Sequence, residues 1–145
     1  MDLTIQAVFL NVSDLDQSIE FYADVLGFRI TSQMEGVAAL MINEESRRQV
    51  LVLREIGRNA YHGGRGNIGP RLLSFEVGST HELDVIEERF VQRQALASHF
   101  ETKTYRGIFG FDPDRIEVSV AASLTAGPIR TEDWHRLADT TYDIE

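Results

Sequence analysis

Four histidines and no cysteine frame the chemistry open to this chain of 145 residues. Without thiolates there is neither a disulfide nor a sulfur-ligated metal, so any ion must rest on His, Asp and Glu. Spacing alone does not assemble such a site. His62 lies in a glycine-rich connection, His81 in the first turn of an expected helix, His99 at an expected strand start and His135 near the C-terminus, and no two stand four residues apart. His62 and His135 sit on segments that could fold over a site; the four read as surface residues or as support for a site built by others. No Ser-His-Asp or Cys-His arrangement can be argued from spacing. The run GRNAYHGGRGNIGPR, residues 57–71, mixes glycine and arginine as phosphate loops do, but it lacks the GxxxxGK[ST] order and opens no helix, so it reads as a lid or linker. The acidic runs Glu87-Glu88 and Asp112 to Asp114 read as solvated faces and turns.

Composition narrows the partners. A formal net charge of -9 opposes nucleic acid, whose phosphates need a basic face, and would suit a cationic small molecule. Hydrophobic residues make up 43%, and no window approaches the roughly 18 apolar residues of a membrane span. The start MDLTIQAVFL has no basic, apolar and cleavage regions in succession, so a cytoplasmic protein that does not engage membranes is expected.

The elements that must position any site are best marked at Val8 to Phe28. Val8, Leu10 and Val12 alternate as in a strand; after Ser13-Asp14 the period becomes helical through Leu15, Ile19, Tyr22, Val25 and Leu26. Asp14 can cap that helix, and Gly27 can end it in a left-handed conformation. Three strands are expected next, Phe28 to Thr31, Val37 to Ile42 and Arg48 to Leu53. The pattern then restarts with a strand at Arg71 to Val77, a helix capped by Ser79 or Thr80 and running to about Ala97, and strands at His99 to Tyr105, Gly107 to Phe111 and Arg115 to Ala121. AVFLNVSD from Ala7 aligns with LLSFEVGS from Leu72, and QVLV from Gln49 with RIEV from Arg115, at offsets of 65 and 66. Such repetition predicts an α+β fold of two βαβββ modules, residues 1–56 and 71–123, joined by a linker at 57–70. A tail at 124–145 carries a short helix that Thr131 can cap, with Trp134 packing against the domain or a second subunit.

Alternation divides the repeated strands into two faces. One reads Val8, Leu10, Val12, Val50, Val52, Leu73, Phe75, Val77, Ile116, Val118 and Val120, and is expected under the helices, where each large side chain contributes roughly 1.5 to 3 kcal/mol. The other reads Ala7, Phe9, Asn11, Gln49, Leu51, Leu53, Leu72, Ser74, Glu76, Arg115, Glu117 and Ser119. Its apolar walls with a few polar groups suit a ligand pocket. There Glu117 is either a carboxylate for a cationic or hydroxyl-bearing ligand or the partner of Arg115 or Arg71.

The opening stretch, with Asn11-Val12-Ser13-Asp14-Leu15, Ser18, Phe21-Tyr22 and Leu26-Gly27-Phe28, resembles the start of a module in the vicinal oxygen chelate superfamily, which includes glyoxalases, extradiol dioxygenases and bleomycin-resistance proteins. The resemblance implies paired modules whose curved mixed sheets form an open cup, commonly in a homodimer. It also implies metal ligands at four equivalent points, holding Fe(II) for oxygen chemistry or Mn, Ni or Zn for lyase and isomerase chemistry. By the repeat alignment those points are Ala7, Leu51, Leu72 and Glu117, of which only Glu117 could coordinate, so no cofactor is expected. The tyrosine that ring-cleaving relatives place before this glutamate corresponds to Phe109, with Tyr105 as a candidate phenolic acid on the adjacent strand. The FDPDRIEV turn before the last strand is two residues shorter than the family's glycine-containing turn. A metal-free protein that binds a small molecule along Phe9, Asn11, Gln49, Leu51, Leu53, Leu72, Ser74, Glu76, Phe109, Glu117 and Ser119 is therefore the leading expectation. An extradiol or glyoxalase-type enzyme using Glu117 and Tyr105 is the alternative; a structural dimer whose cup is filled by Phe9, Leu53 and Leu72 is a third.

Overall fold

The computed structural model describes residues 1–45, 49–62, 68–127, 134 and 138. The chain forms two compact units, Met1–Gly63 and Gly64–Glu145. In the first, strand β1 (Ala7–Val12) feeds helix α1 (Leu15–Glu20), which widens into a π turn at Phe21–Val25 before β2 (Arg29–Met34), β3 (Val37–Met41) and β4 (Val50–Glu55). In the second, β5 (Leu72–Val77) feeds α2 (Thr80–Gln92), followed by β6 (Leu96–Glu101), β7 (Tyr105–Phe111) and β8 (Glu117–Ser123). Each unit is thus βαβββ. The sheets run β1-β4-β3-β2 and β5-β8-β7-β6, and in both the first strand lies parallel to the last while the other pairs are antiparallel. Among the described residues no helix is long and apolar enough to cross a membrane.

Local chemistry explains the strand-to-helix switches. Asp14 accepts a hydrogen bond from Gln17 N at 3.1 Å, and Glu55 Oε1 accepts one from Leu15 N at 2.9 Å, so two amides that α1 cannot pair internally are satisfied. Arg58 adds an ion pair to Asp14 at 3.1 Å. The amide of Gln17 first, and Arg58 second, hold the Asp14 carboxyl below its ordinary value of 3.8. A carboxyl whose folded pKa is lowered stabilises the fold fully above its unfolded value and loses that contribution as pH falls through the folded value. The melting temperature of Asp14→Ala should therefore lie below wild type by a constant margin from pH 7 to pH 5, and the margin should shrink below about pH 4. In the second unit Ser79 caps α2 by accepting from Glu82 N at 3.2 Å, and its hydroxyl donates to the Glu82 carboxylate at 3.3 Å.

Several element boundaries differ from the sequence expectation. Helix α2 stops at Gln92 instead of near Ala97: Gln94 adopts φ 56, Ala95 N turns back to Phe90 O, and Leu96 already pairs with Gly110. His99 is consequently in mid-strand, where its Nε2 meets Glu87 Oε1 at 3.0 Å. Tyr105 opens β7 instead of closing the strand before it. Arg115 lies outside β8, at φ 68 in a turn that the buried Asp112 closes by accepting from Asp114 N and Ile116 N; its guanidinium sits 4.6 Å from the Phe111 ring centroid. Strand β2 extends to Met34, and β4 runs from Val50 to Glu55. His135, the expected cap at Thr131, part of the 57–70 connection and most of the tail fall outside the described residues; Trp134 is helical and 50% exposed.

Candidate functional site

The second unit places its polar residues as the alternation predicts. Side chains that are paired in register share a face, so one face carries three consecutive rows: Leu72, Glu117 and Phe111; Ser74, Ser119, Phe109 and Ser98; Glu76, Ala121, Gly107 and Phe100. The opposite face carries Leu73, Val118 and Gly110, then Phe75, Val120 and Ile108. Helix α2 covers the latter through Leu83, Ile86 and Phe90, all buried, with the Phe90 ring seated on Gly110. The candidate site is the face without the helix.

Side-chain contacts tie that face together. Tyr105, 3% exposed, donates its phenol proton to Glu76 Oε2 at 2.5 Å. Ser119 Oγ, on a residue 1% exposed, donates to Ser74 Oγ at 2.9 Å. Glu117 is 5% exposed, and Arg71 Nε lies 3.8 Å from its Oε2, an ion pair longer than a hydrogen bond. The rings of Phe100 and Phe109 meet at 4.9 Å, and Phe100 lies across Gly107, where an added Cβ would stand 2.3 Å from the ring. These groups can accept and donate hydrogen bonds beside an aromatic floor. The link from Glu76 to Tyr105, which sequence reasoning did not pair, joins β5 to β7 across β8; the signal was the placement of both residues near one end of the sheet.

The first unit corrects the expected site. Val8 is in register with Leu51 and Leu40, and Leu10 with Leu53 and Ala38. Leu51 and Leu53 are therefore buried core residues on the α1 face, and Val50 and Val52 lie on the other. Gln49 precedes β4 and takes no place in the sheet face. Phe9 and Asn11 do lie on the face away from α1, with Val52 and Arg54, and Phe9 is 75% exposed, whereas Leu53 belongs to the core and does not fill that face.

The same register resets the four equivalent points. Ala7 opens the pairing with Val50 as Leu72 does with Glu117, so the counterpart of Glu117 is Val50 and not Leu51. Three of the four residues are hydrocarbon, and a divalent ion, which generally needs three or four protein ligands, does not fit this donor set. Among the described residues no three of His, Cys, Asp and Glu gather in a way that could hold a metal.

Comparison with known proteins agrees with this architecture. A family model described as Glyoxalase/Bleomycin resistance protein/Dioxygenase superfamily matches residues 4–120. No curated protein matches the chain. Among solved structures, a glyoxylase/bleomycin resistance protein/dioxygenase domain from Frankia sp. EAN1pec superposes with TM-score 0.68 at 21% identity, covering 88% of this chain and 96% of that one. A glyoxalase/bleomycin resistance protein/dioxygenase from Nocardioides gives 0.64 at 24% identity, covering 90% of each chain. Lactoylglutathione lyase from Agrobacterium tumefaciens gives 0.62 at 21% identity, covering 82% and 92%. At these identities the likeness establishes the fold.

Proposed function

Since the chain belongs to the glyoxalase/bleomycin resistance protein/dioxygenase superfamily, we propose that it is a member that binds a small molecule without a metal, using the helix-free sheet face of its second unit. The observation that carries this reading is the donor set: Ala7, Val50 and Leu72 offer no lone pair at the positions where a Lewis acid would be held, while Ser74, Glu76, Tyr105 and Ser119 keep hydrogen-bonding groups in consecutive rows of the same face. A sheet face that served only as packing would gain nothing from burying Ser119 and Glu117, since each buried polar group costs free energy unless it is compensated.

The test is direct. The purified protein should carry Fe, Mn, Ni and Zn far below one equivalent, and should release no ring-opened product from catechol after anaerobic loading with Fe(II). A small-molecule screen by thermal denaturation without added metal should find compounds that raise the melting temperature, because a ligand at a hundred times its Kd contributes about 2.7 kcal/mol to the folded state. Near-stoichiometric metal, or catechol cleavage that Glu117→Gln abolishes, would overturn the reading in favour of an extradiol-type enzyme.

A further inference from the structure

Resting on that binding role, we infer that the ligand carries a protonated amine and, about 6.6 Å from it, a hydrogen-bond acceptor, with Glu76 receiving the amine, Ser74 the acceptor, and Tyr105 acting as the positioning residue for Glu76. Glu76 and Ser74 stand two residues apart on β5, an edge strand, with both side chains on the helix-free face and both exposed. Among the described residues Glu76 makes no ion pair, whereas the other carboxylate of that face, Glu117, has Arg71 beside it. The negative charge open to a ligand is therefore at Glu76.

An exposed glutamate ordinarily samples many rotamers and would have to be ordered on binding. Here the bond from the buried Tyr105 phenol holds Oε2, so the carboxylate is ordered before a ligand arrives and that ordering need not be supplied by binding. Ser74 differs in its chemistry. Its oxygen accepts the Ser119 proton, which leaves its own hydroxyl proton for an acceptor on the ligand. Along β5 the face thus offers an anionic acceptor, then a donor, then the hydrocarbon of Leu72. Two residues of a strand set about 6.6 Å between the two polar groups, a distance that a flat, para-substituted ring spans.

The experiment is an NMR titration of the intact chain with three matched compounds: 4-methoxybenzylamine, which has the cation and the acceptor; 4-methylbenzylamine, which lacks the acceptor; and 4-methoxybenzyl alcohol, which lacks the charge. The first should shift amide resonances of residues 72–77 and bind about tenfold more tightly than the alcohol, as a charge-assisted hydrogen bond predicts. Glu76→Gln should erase that preference. Ser74→Ala should erase only the smaller preference of the methoxy amine over the methyl amine. Tyr105→Phe should lower the ratio of amine to alcohol affinity while leaving alcohol affinity unchanged, a change that general loosening of the sheet would not produce. Equal binding of amine and alcohol, retention of the preference in Glu76→Gln, or no shifts along β5 would each overturn the inference. Should the amine fail while other compounds raise the melting temperature without metal, this inference falls and the binding role stands; near-stoichiometric metal counts against that role whatever the amine does.

Discussion

Gly110→Ala is expected to destabilise the second unit by about 3 kcal/mol, at the upper end of what overpacking a filled core costs. A Cβ at this position would stand 2.4 Å from Ala95 O and 2.5 and 2.6 Å from the Phe90 ring carbons Cε2 and Cδ2. The ring can move, but the carbonyl cannot move easily, because it accepts the hydrogen bond from Phe111 N at 3.0 Å that ties the end of α2 to β7. Urea denaturation should show a lower midpoint at unchanged m. Phe90→Leu in the Gly110→Ala background should restore only the part due to the ring, and the remainder measures the carbonyl clash. Wild-type stability in the single variant would mean that α2 does not seat on β7 as described. The consequence reaches the helix-free face, since Gly110 lies between Phe109 and Phe111, which point to the opposite side of the same strand.

The contrast between the two units shows what alternation can and cannot reveal. In β5 and β8 the sequences LLSFEV and EVSVAAS place Ser, Glu and Ser on one side and Phe and Val on the other, so a period of two assigns the faces before any coordinates exist. In β4 the run Val50, Leu51, Val52, Leu53 is apolar at every position and gives no face. Its assignment then leaned on aligning Gln49 with Arg115, and a parallel pair has no short turn to fix its register. The pairing Ala7 to Val50 shows the alignment to be displaced by one residue in β4, and a displacement of one exchanges the two faces. That is why Leu51 and Leu53 belong to the core. The end of α2 was illegible for a different reason: Ala95, Leu96 and Ala97 are all good helix formers, and the chain leaves the helix through a left-handed glutamine instead of the glycine that would have announced it. At Gly27, where φ is 79, the signal was present and the helix ends there.

Glu117 is the one potential donor among the four equivalent points, and two substitutions measure its structural role. Arg71→Met should destabilise the protein by about 2 kcal/mol, less than the 3 to 5 kcal/mol of breaking a fully buried pair, because Arg71 is 30% exposed and the separation of 3.8 Å exceeds a hydrogen bond. Glu117→Gln removes the charge while keeping the shape, so alone it should change stability little, and in the Arg71→Met background it should recover most of the loss. The double-mutant cycle then reports the coupling between guanidinium and carboxylate directly, and urea denaturation of the four proteins supplies all of its terms. If Arg71→Met is as stable as wild type, the ion pair contributes nothing to folding. If the cycle closes as expected, the carboxylate is retained as half of an ion pair set into the sheet, which leaves Glu76, met by no cation among the described residues and held by Tyr105, as the carboxylate of that face outside an ion pair. The two carboxylates of one face thus differ in what meets them: Arg71 stands beside the buried one, and the Tyr105 phenol donates to the exposed one.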